Sequence, residues 1–179
     1  MALIQKTDPI GVDKVIDGLQ EYLFNELNLS LWQSYPRAYK NPNHFNDQVF
    51  IPEVFIDGEY YEAFYDDDYN LTSYFVVDDE RNFDGGVYTT EIALIIQANV
   101  ETLLPSIPHR ADEELLNLIC REIQYYPGEG IDLLGVETSV LAVYREFTSE
   151  RLTFNDMNEF FVARINMNAT YYTDCCANC

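Results

Sequence analysis

One acidic segment holds oxygen ligands at a spacing suited to a metal ion. Asp66, Asp68 and Asn70 alternate along the chain, as the first ligands of a calcium-binding loop do. Such a loop also needs a glycine at its sixth position and a glutamate at its twelfth, and this chain has Leu71 and Val77 there. The pattern excludes an EF-hand. It leaves a weak calcium site as the alternative to our expectation, a solvated acidic loop between strands.

A second acidic run, formed by Asp78, Asp79 and Glu80, lies close in sequence. Two carboxylate clusters can together build a two-metal hydrolytic site, which usually also recruits histidine. The chain has two histidines, His44 and His109, and both lie near prolines in loop-like sequence. We therefore expect no catalytic metal centre.

Three of the four cysteines crowd the end of the chain, at Cys175, Cys176 and Cys179. A C-x-x-C pair can bind zinc or form a disulfide, but a structural zinc site usually needs a second pair elsewhere. We expect a frayed terminus, with zinc binding or a disulfide between subunits as the alternatives. Cys120 falls within an apolar helical pattern and is expected to be a small core residue.

Sequence patterns for nucleophilic catalysis and for phosphate binding are missing. The chain has no G-x-S-x-G motif, and Gly85-Gly86 lacks the lysine of a P-loop. Gly128 and Gly130 follow a predicted helix, whereas a phosphate-binding loop follows a strand. We therefore expect that the chain is not an enzyme and has no cofactor.

The charge of the chain is strongly negative: 31 acidic and 10 basic residues give a net charge of −21 over 179 residues. Such a chain is unsuited to wrap duplex DNA, which proteins bind with lysine and arginine, and unsuited to an anionic membrane surface. The charge fits a partner with basic patches, or a surface past which DNA slides without binding. General solubility is the simpler alternative.

Targeting signals are also missing from the sequence. No basic and then apolar segment opens the chain, and no run approaches 18 apolar residues. We expect the protein to fold in a cytoplasm with reduced thiols.

Hydrophobic periodicity predicts two amphipathic helices, over residues 11–28 and 111–125. Their apolar stripes comprise Val12, Val15, Ile16, Leu19, Leu23 and Leu27 in the first, and Leu115, Leu118, Ile119 and Ile123 in the second. The first helix is then expected to direct Asp13, Lys14, Asp17, Gln20 and Glu21 away from the core.

Strand patterns fill most of the remaining chain. The turn Asp57-Gly58 predicts a type I′ hairpin between its flanking strands, and Pro52 suggests that the first of these is an edge strand. The longest strand is expected to be central in the sheet, and residues 35–43 to form a loop. The predicted strands cover residues 49–56, 59–65, 74–77, 87–100, 135–138, 140–147 and 159–172.

These elements predict an α+β fold with an antiparallel or mixed sheet of about five to seven strands. Both amphipathic helices are expected on one face of that sheet. A single domain would span residues 1–172, followed by a cysteine-rich tail over 173–179.

Aromatic residues are concentrated in the hairpin region. Their density is high enough to place aromatic side chains on both faces of a sheet. Aromatic side chains beyond the needs of the core are typical of interface hot spots. The alternative is that one face is covered by a helix and the hydroxyl groups on the other face reach water. The candidates for a subunit interface are Tyr60, Tyr61, Phe64, Tyr65 and Tyr74.

The order of elements resembles the head–tail joining proteins of tailed bacteriophages, especially the tail-terminator and tail-completion group. The matching parts are the helix at Val12–Leu27, the hairpin at Asp57-Gly58, the long strand over 87–100 and the entry to the second helix over 110–115. The resemblance covers residues 11–172 as a pattern of architecture, without a diagnostic motif. Residues 35–50 and the cysteine-rich end have no counterpart in it. A ring protein at the portal vertex of a short-tailed phage is equally similar.

The resemblance implies a structural virion protein, assembled in the host cytoplasm, that forms a ring in the phage neck. Its partners would be further copies of itself and neighbouring portal, neck or tail proteins, and DNA would pass through its channel without specific binding. An acidic channel surface would repel the phosphates. The candidates for the channel-facing or partner-facing surface are Asp66, Asp67, Asp68, Asp78, Asp79 and Glu80.

Two other functions stay open from the residues alone. One is an acidic adaptor or DNA-mimicking inhibitor that binds a basic partner as a monomer or dimer. The other is a metal-dependent enzyme built on the aspartate clusters, which is the least favoured of the three.

Overall fold

The computed structural model describes residues 2–43, 46–63, 68–107, 111–128, 130–148 and 160–172. These residues form an α+β fold with one mixed sheet, which confirms the predicted class. The sheet has nine strands, more than the predicted five to seven, and two of the four helices are short. The cysteine-rich tail lies outside the described residues.

The elements have the following bounds. The strands are β1 (Ala2–Leu3), β2 (Trp32–Asn43), β3 (Asn46–Ile56), β4 (Glu59–Glu62), β5 (Leu71–Val77), β6 (Asn82–Asp84), β7 (Val87–Ala98), β8 (Ile131–Glu137) and β9 (Phe161–Tyr172). The helices are α1 (Val12–Leu27), α2 (Val100–Leu103), α3 (Ala111–Tyr125) and α4 (Val140–Val143).

The strands follow the order β4-β3-β2-β5-β7-β9-β8, with β1 paired to β2 and β6 paired to β7. The β1–β2 and β2–β5 pairs are parallel, whereas the other pairs are antiparallel. The long strand β7 lies between β5 and β9, so its predicted central position is confirmed.

Helices α1 and α3 share one core with one face of the sheet. From β7 the core takes Ile92, Leu94 and Ile96, which alternate along the strand and so point to the same face. The helices contribute the buried side chains of Val12, Ile16, Leu19 and Leu23 from α1, and of Leu115, Ile119 and Ile123 from α3. The predicted placement of both long helices on one face is therefore confirmed.

A second core covers the opposite face, to which Ala93 and Ile95 point. Helix α4 and the turn after it pack there, through Val143, Tyr144 and Phe147. The strand predicted over residues 140–147 was wrong. The spacing of the apolar side chains in this segment also fits a helical turn, and the Ser139 hydroxyl caps that turn by accepting a hydrogen bond from the backbone N–H of Ala142, at 3.4 Å.

The loop predicted over residues 35–43 was also wrong, because β2 continues through it. Pro36 lies where the β2–β5 register shifts between Ser34 and Arg37, and Pro42 lies next to the shift in the β2–β3 ladder. Irregular positions tolerate a residue without a backbone N–H, so the two prolines interrupt the pairing locally without ending the strand.

The hairpin predicted at Asp57-Gly58 joins β3 to β4, and both turn residues have the positive φ that a type I′ turn requires, 51° and 91°. The edge position predicted for β3 was wrong, because β3 lies between β2 and β4. The carbonyl of Pro52 accepts a hydrogen bond from Ala63 on the β4 side, at 2.9 Å. The proline nitrogen faces that same side, just past the end of the β3–β4 ladder, where its missing N–H costs least.

Candidate functional site

The acidic segment before β5 is only partly described. Asp66 and Asp67 lie outside the described residues, whereas Asp68 is exposed. Asn70 is fixed by backbone hydrogen bonds, to Leu31 at 2.9 Å and from Asn99 at 3.0 Å. Among the described residues, no group of three or more histidine, cysteine, aspartate or glutamate side chains could hold a metal ion. The candidate cysteines Cys175, Cys176 and Cys179 lie outside this part of the chain.

The acidic turn after β5 is held rigidly. Asp78 accepts a hydrogen bond from the backbone N–H of Glu80 at 2.9 Å. Arg81 lies beneath the turn and donates to the Glu80 carbonyl at 3.0 Å, to the Thr90 hydroxyl at 2.8 Å and to the Asp78 carbonyl. Asp78, Asp79 and Glu80 are all exposed. The turn therefore presents fixed negative charge to the surface.

The described acidic residues nearest to β5, Asp68 before the strand and Asp78 after it, lie at its opposite ends. This strand has seven residues, and a strand rises about 3.3 Å per residue, so Asp68 and Asp78 lie about 20 Å apart. These two residues cannot share a two-metal site, whose ions lie about 4 Å apart. They belong to two separate parts of the acidic surface.

One edge of the sheet, strand β4, carries exposed aromatic side chains. Tyr60 is 49% exposed and Tyr61 is 47% exposed. The Tyr60 ring packs on Phe55, with centroids 5.0 Å apart, and on Tyr39, at 6.1 Å. Tyr60 and Tyr61 are therefore available to a partner, as the predicted interface requires.

The other predicted interface residues have different outcomes. Tyr74 is fully buried, because β5 is an interior strand and this ring packs in the second core, 6.3 Å from Phe147. Its place in the predicted interface was wrong. Burial raises the pKa of Tyr74 well above its usual range. Phe64 and Tyr65 lie outside the described residues.

The opposite edge, strand β8, carries a different apolar surface. Leu134 is 51% exposed and Val136 is 39% exposed, and Leu141 on the neighbouring helix α4 is also exposed. A register shift between Leu133 and Gly135 distorts β8, and β4 is only four residues long with a glutamate at each end. Short, charged or bulged edges disfavour the addition of another strand, so both edges are suited to side-chain contacts.

A buried ionic cluster between α1 and β2 was missed from the sequence, which placed its α1 residues on the solvent side. Asp13, Asp17 and Gln20 are all less than 10% exposed and recur at helical spacing on one face. Lys6 forms an ion pair with Asp13, and Arg37 lies 3.8 Å from the same carboxylate. The helical spacing of Asp13, Asp17 and Gln20 was the signal in the sequence that could have indicated their shared face. Their neighbours Lys14 and Glu21 lie on the exposed side of the helix.

The cluster is completed by Tyr39 of β2. Its hydroxyl accepts a hydrogen bond from Lys6 at 3.2 Å, and the Arg37 guanidinium lies 4.9 Å from its ring centre. Burial lowers the pKa of Lys6, but its hydrogen bonds to Asp13 and Tyr39 outweigh this and raise it. Burial, together with the nearby charge of Asp13, raises the pKa of Asp17 from 3.8 to about 6. The cluster therefore holds one carboxyl group that titrates near neutral pH.

Several oxygens in this cluster have no hydrogen-bond donor among the described residues. They are Oδ1 of Asp13, Oδ1 of Asp17 and Oε1 of Gln20. Unpaired buried oxygens are costly, so the existing contacts with Lys6 and Arg37 are important for holding this region together.

No protein-family model matches the chain, and no curated protein matches it. Within the described part of the chain, no helix combines the length and apolarity needed to cross a lipid bilayer.

Proposed function

We propose that this protein is a structural subunit, without catalytic chemistry, of a ring in the neck of a tailed bacteriophage. The ring joins the head to the tail and surrounds the channel through which DNA passes. It is assembled in the host cytoplasm and becomes part of the virion, next to portal, neck or tail proteins.

The observation that carries this proposal is the pair of unlike sheet edges. Strand β4 presents Tyr60 and Tyr61, whereas strand β8 and α4 present Leu134, Val136 and Leu141. A ring with head-to-tail contacts needs two different surfaces on each subunit. Two apolar surfaces at opposite ends of one sheet meet that requirement.

The negative charge supports the channel role. The rigid turn at Asp78–Glu80 presents exposed carboxylates, and the whole chain has a net charge of −21. A surface of this sign repels DNA phosphates over about 8 Å at physiological ionic strength, which lets DNA move past without binding.

The test of the ring is native mass spectrometry of the purified protein with negative-stain imaging of the same sample. We expect closed rings of about six or twelve copies, which the variant Tyr60→Ser/Tyr61→Ser should disrupt. Tyr125→Ser is the matched control, since Tyr125 is 70% exposed but lies on α3. A monomer or dimer at every concentration, with stoichiometric binding to a basic protein, would instead favour the acidic adaptor or DNA mimic.

The channel role has its own test. In the variant Asp78→Lys/Asp79→Lys/Glu80→Lys, which places three positive charges per subunit where the native turn is negative, we expect intact rings that bind a short fluorescent DNA duplex at low salt, as measured by anisotropy. Native rings should leave the duplex free under the same conditions. Loss of the rings in this variant would identify the turn as a subunit contact and overturn its assignment to the channel.

A further inference from the structure

The N-terminal residues 2–6, here called the strap, lie in a groove between α1 and β2. Strand β1 pairs in parallel with β2, with Ala2 opposite Gln33 and Leu3 opposite Ser34. The backbone N–H of Ile4 donates to the Ser34 carbonyl at 2.9 Å. The strap is therefore one added strand on a free stretch of the β2 edge.

Side chains of the groove complete this attachment. Gln20 donates to the Ile4 carbonyl at 3.0 Å, and Lys6 pairs with Asp13. The backbone N–H of Lys6 also hydrogen-bonds to the Asp17 carboxylate. Without the strap, these buried polar groups of α1 would lose partners, so the groove is built to hold a short strand that ends in a cation.

Among the described residues, neither core includes a side chain from the strap. Backbone hydrogen bonds and complementary charge hold the strap in place, since Lys6 is positive and the groove contains Asp13 and Asp17. Such an attachment can be exchanged without opening the hydrophobic core.

The connection from the strap to α1 is short and strained. It spans residues 7–11, where the non-glycine residue Asp8 has a φ of 51°. A left-handed conformation is unfavourable for most residues other than glycine. Short strained connections favour exchange of the element they attach between identical subunits, because an opened connection relaxes while every other contact is kept.

We infer that the groove of each subunit takes the strap of the neighbouring copy when the protein assembles. This inference rests on the proposed ring. It adds that each subunit is tied to the next by residues 2–6, besides the contacts at the sheet edges.

The test is a disulfide between two different chains. In a background with the four native cysteines replaced by serine, one tagged chain carries Leu3→Cys and a second, differently tagged chain carries Ser34→Cys. After coexpression and assembly, we expect a disulfide between positions 3 and 34 of different chains in the assembled fraction, identified by peptide mass spectrometry. The pair Ala2→Cys and Gln33→Cys repeats the test at the adjacent register position, in case Ser34→Cys does not fold.

Charge and hinge variants test the mechanism of exchange. Adding Lys6→Glu to the strap-donating chain should lower the disulfide yield about ten-fold, whereas Lys14→Glu, the same charge change on the outer side of α1, should leave it unchanged. Asp8→Gly relaxes the closed connection and should lower the yield roughly two- to five-fold. An acceptor with Tyr125→Cys in place of Ser34→Cys should give no disulfide.

The outcomes separate this inference from the ring itself. Rings without the interchain disulfide overturn strap exchange and leave the ring proposal intact. The disulfide in dimers alone supports strap exchange and overturns the ring. Neither rings nor disulfide overturns both.

Discussion

Asp17 is a buried carboxyl group whose titration changes the stability of the protein near neutral pH. Its pKa is about 6 in the folded chain against 3.8 for the free group, so the folded state binds its proton more tightly. The stabilisation from that proton is complete below about pH 4 and is lost as the pH rises through 6. Above pH 6 the protein carries the full cost of the buried charge.

We therefore predict that Asp17→Asn is more stable than the native protein at pH 7.5, by about 1–3 kcal/mol. The difference should shrink towards zero near pH 3, below the pKa of 3.8 for the free group, where the native carboxyl is largely protonated in both states. Urea unfolding of both proteins at the two pH values measures it. An equal difference at both pH values would show that Asp17 is not the titrating group.

Two buried tyrosines of the second core differ in their hydrogen bonding. The Tyr144 hydroxyl accepts a hydrogen bond from Gln97 at 2.7 Å, whereas the Tyr74 hydroxyl has no partner among the described residues. Tyr144→Phe leaves the Gln97 amide unpaired and should cost about 1–2 kcal/mol. Tyr74→Phe removes an unpaired group and should be neutral or stabilising. Unfolding free energies of the two variants give the comparison, and a larger loss from Tyr74→Phe would contradict it.

At the residue scale, sequence reasoning located apolar positions better than buried polar ones. The apolar stripe of α1 was predicted from its spacing, and Ile16, Leu19 and Leu23 are fully buried. Asp13 and Asp17 were expected in solvent, because polarity is the main signal that a single sequence offers for exposure. Their burial depends on Lys6 and Arg37, which approach from other elements.

At the element scale, the same limit explains two of the wrong assignments, those of residues 140–147 and 35–43. Residues 140–147 contain β-branched and apolar residues suited to a strand, but the segment packs as a helical turn. There Arg164 of β9 donates to the Val143 carbonyl at 3.4 Å and to Glu146 at 2.7 Å. Residues 35–43 contain two prolines, and only the register shifts of the assembled sheet show that a strand can pass through them. Contacts with other elements determine the secondary structure of these two segments, and local propensity does not.

Gly18 of α1 lies where this helix packs against Tyr126, in the segment after α3. A Cβ atom on Gly18 would lie 2.6 Å from the Tyr126 hydroxyl, and the Tyr126 ring packs against Tyr22 with centroids 5.3 Å apart. Gly18→Ala should gain about 1 kcal/mol of helix propensity, but the displaced tyrosine offsets that gain. In a Tyr126→Phe background, we expect the gain to be recovered.

A double-mutant cycle by urea unfolding measures this coupling. An identical effect of Gly18→Ala with and without the Tyr126 hydroxyl would show that the ring moves aside freely. The crowding would then place no constraint on α1.

At the scale of the whole molecule, net charge opposes self-association. Each copy carries −21, so assembly through apolar edges must overcome repulsion between subunits. Raising NaCl from 0.1 M to 1 M shortens the screening length from about 10 Å to about 3 Å. We predict that the ring fraction rises over this range, as measured by mass photometry. Equimolar sucrose at constant 0.1 M NaCl is the uncharged control, and a ring fraction that falls with salt would indicate contacts made by ion pairs.

The candidate surfaces were partly predictable at this scale. The clustering of aromatic residues indicated Tyr60 and Tyr61, because their hairpin was readable from Asp57-Gly58. The edge at Leu134 and Val136 was not foreseen, because the strand order that leaves β8 unpaired on one side follows from contacts distant in sequence. The two acidic segments were found from composition, but the separation of Asp68 from Asp78 by the length of β5 required the fold.

Trp32, the single tryptophan of the chain, lies where β2 passes beneath α1. It is 2% exposed, its indole N–H donates to Ser73 at 2.9 Å, and its ring lies 5.2 Å from that of Phe24. The next residue, Gln33, pairs with Ala2 of the strap. Trp32 is therefore an intrinsic fluorophore on β2, the strand with which the strap pairs. Its emission should follow both unfolding and strap release without any added label, in a background otherwise limited to tyrosine fluorescence.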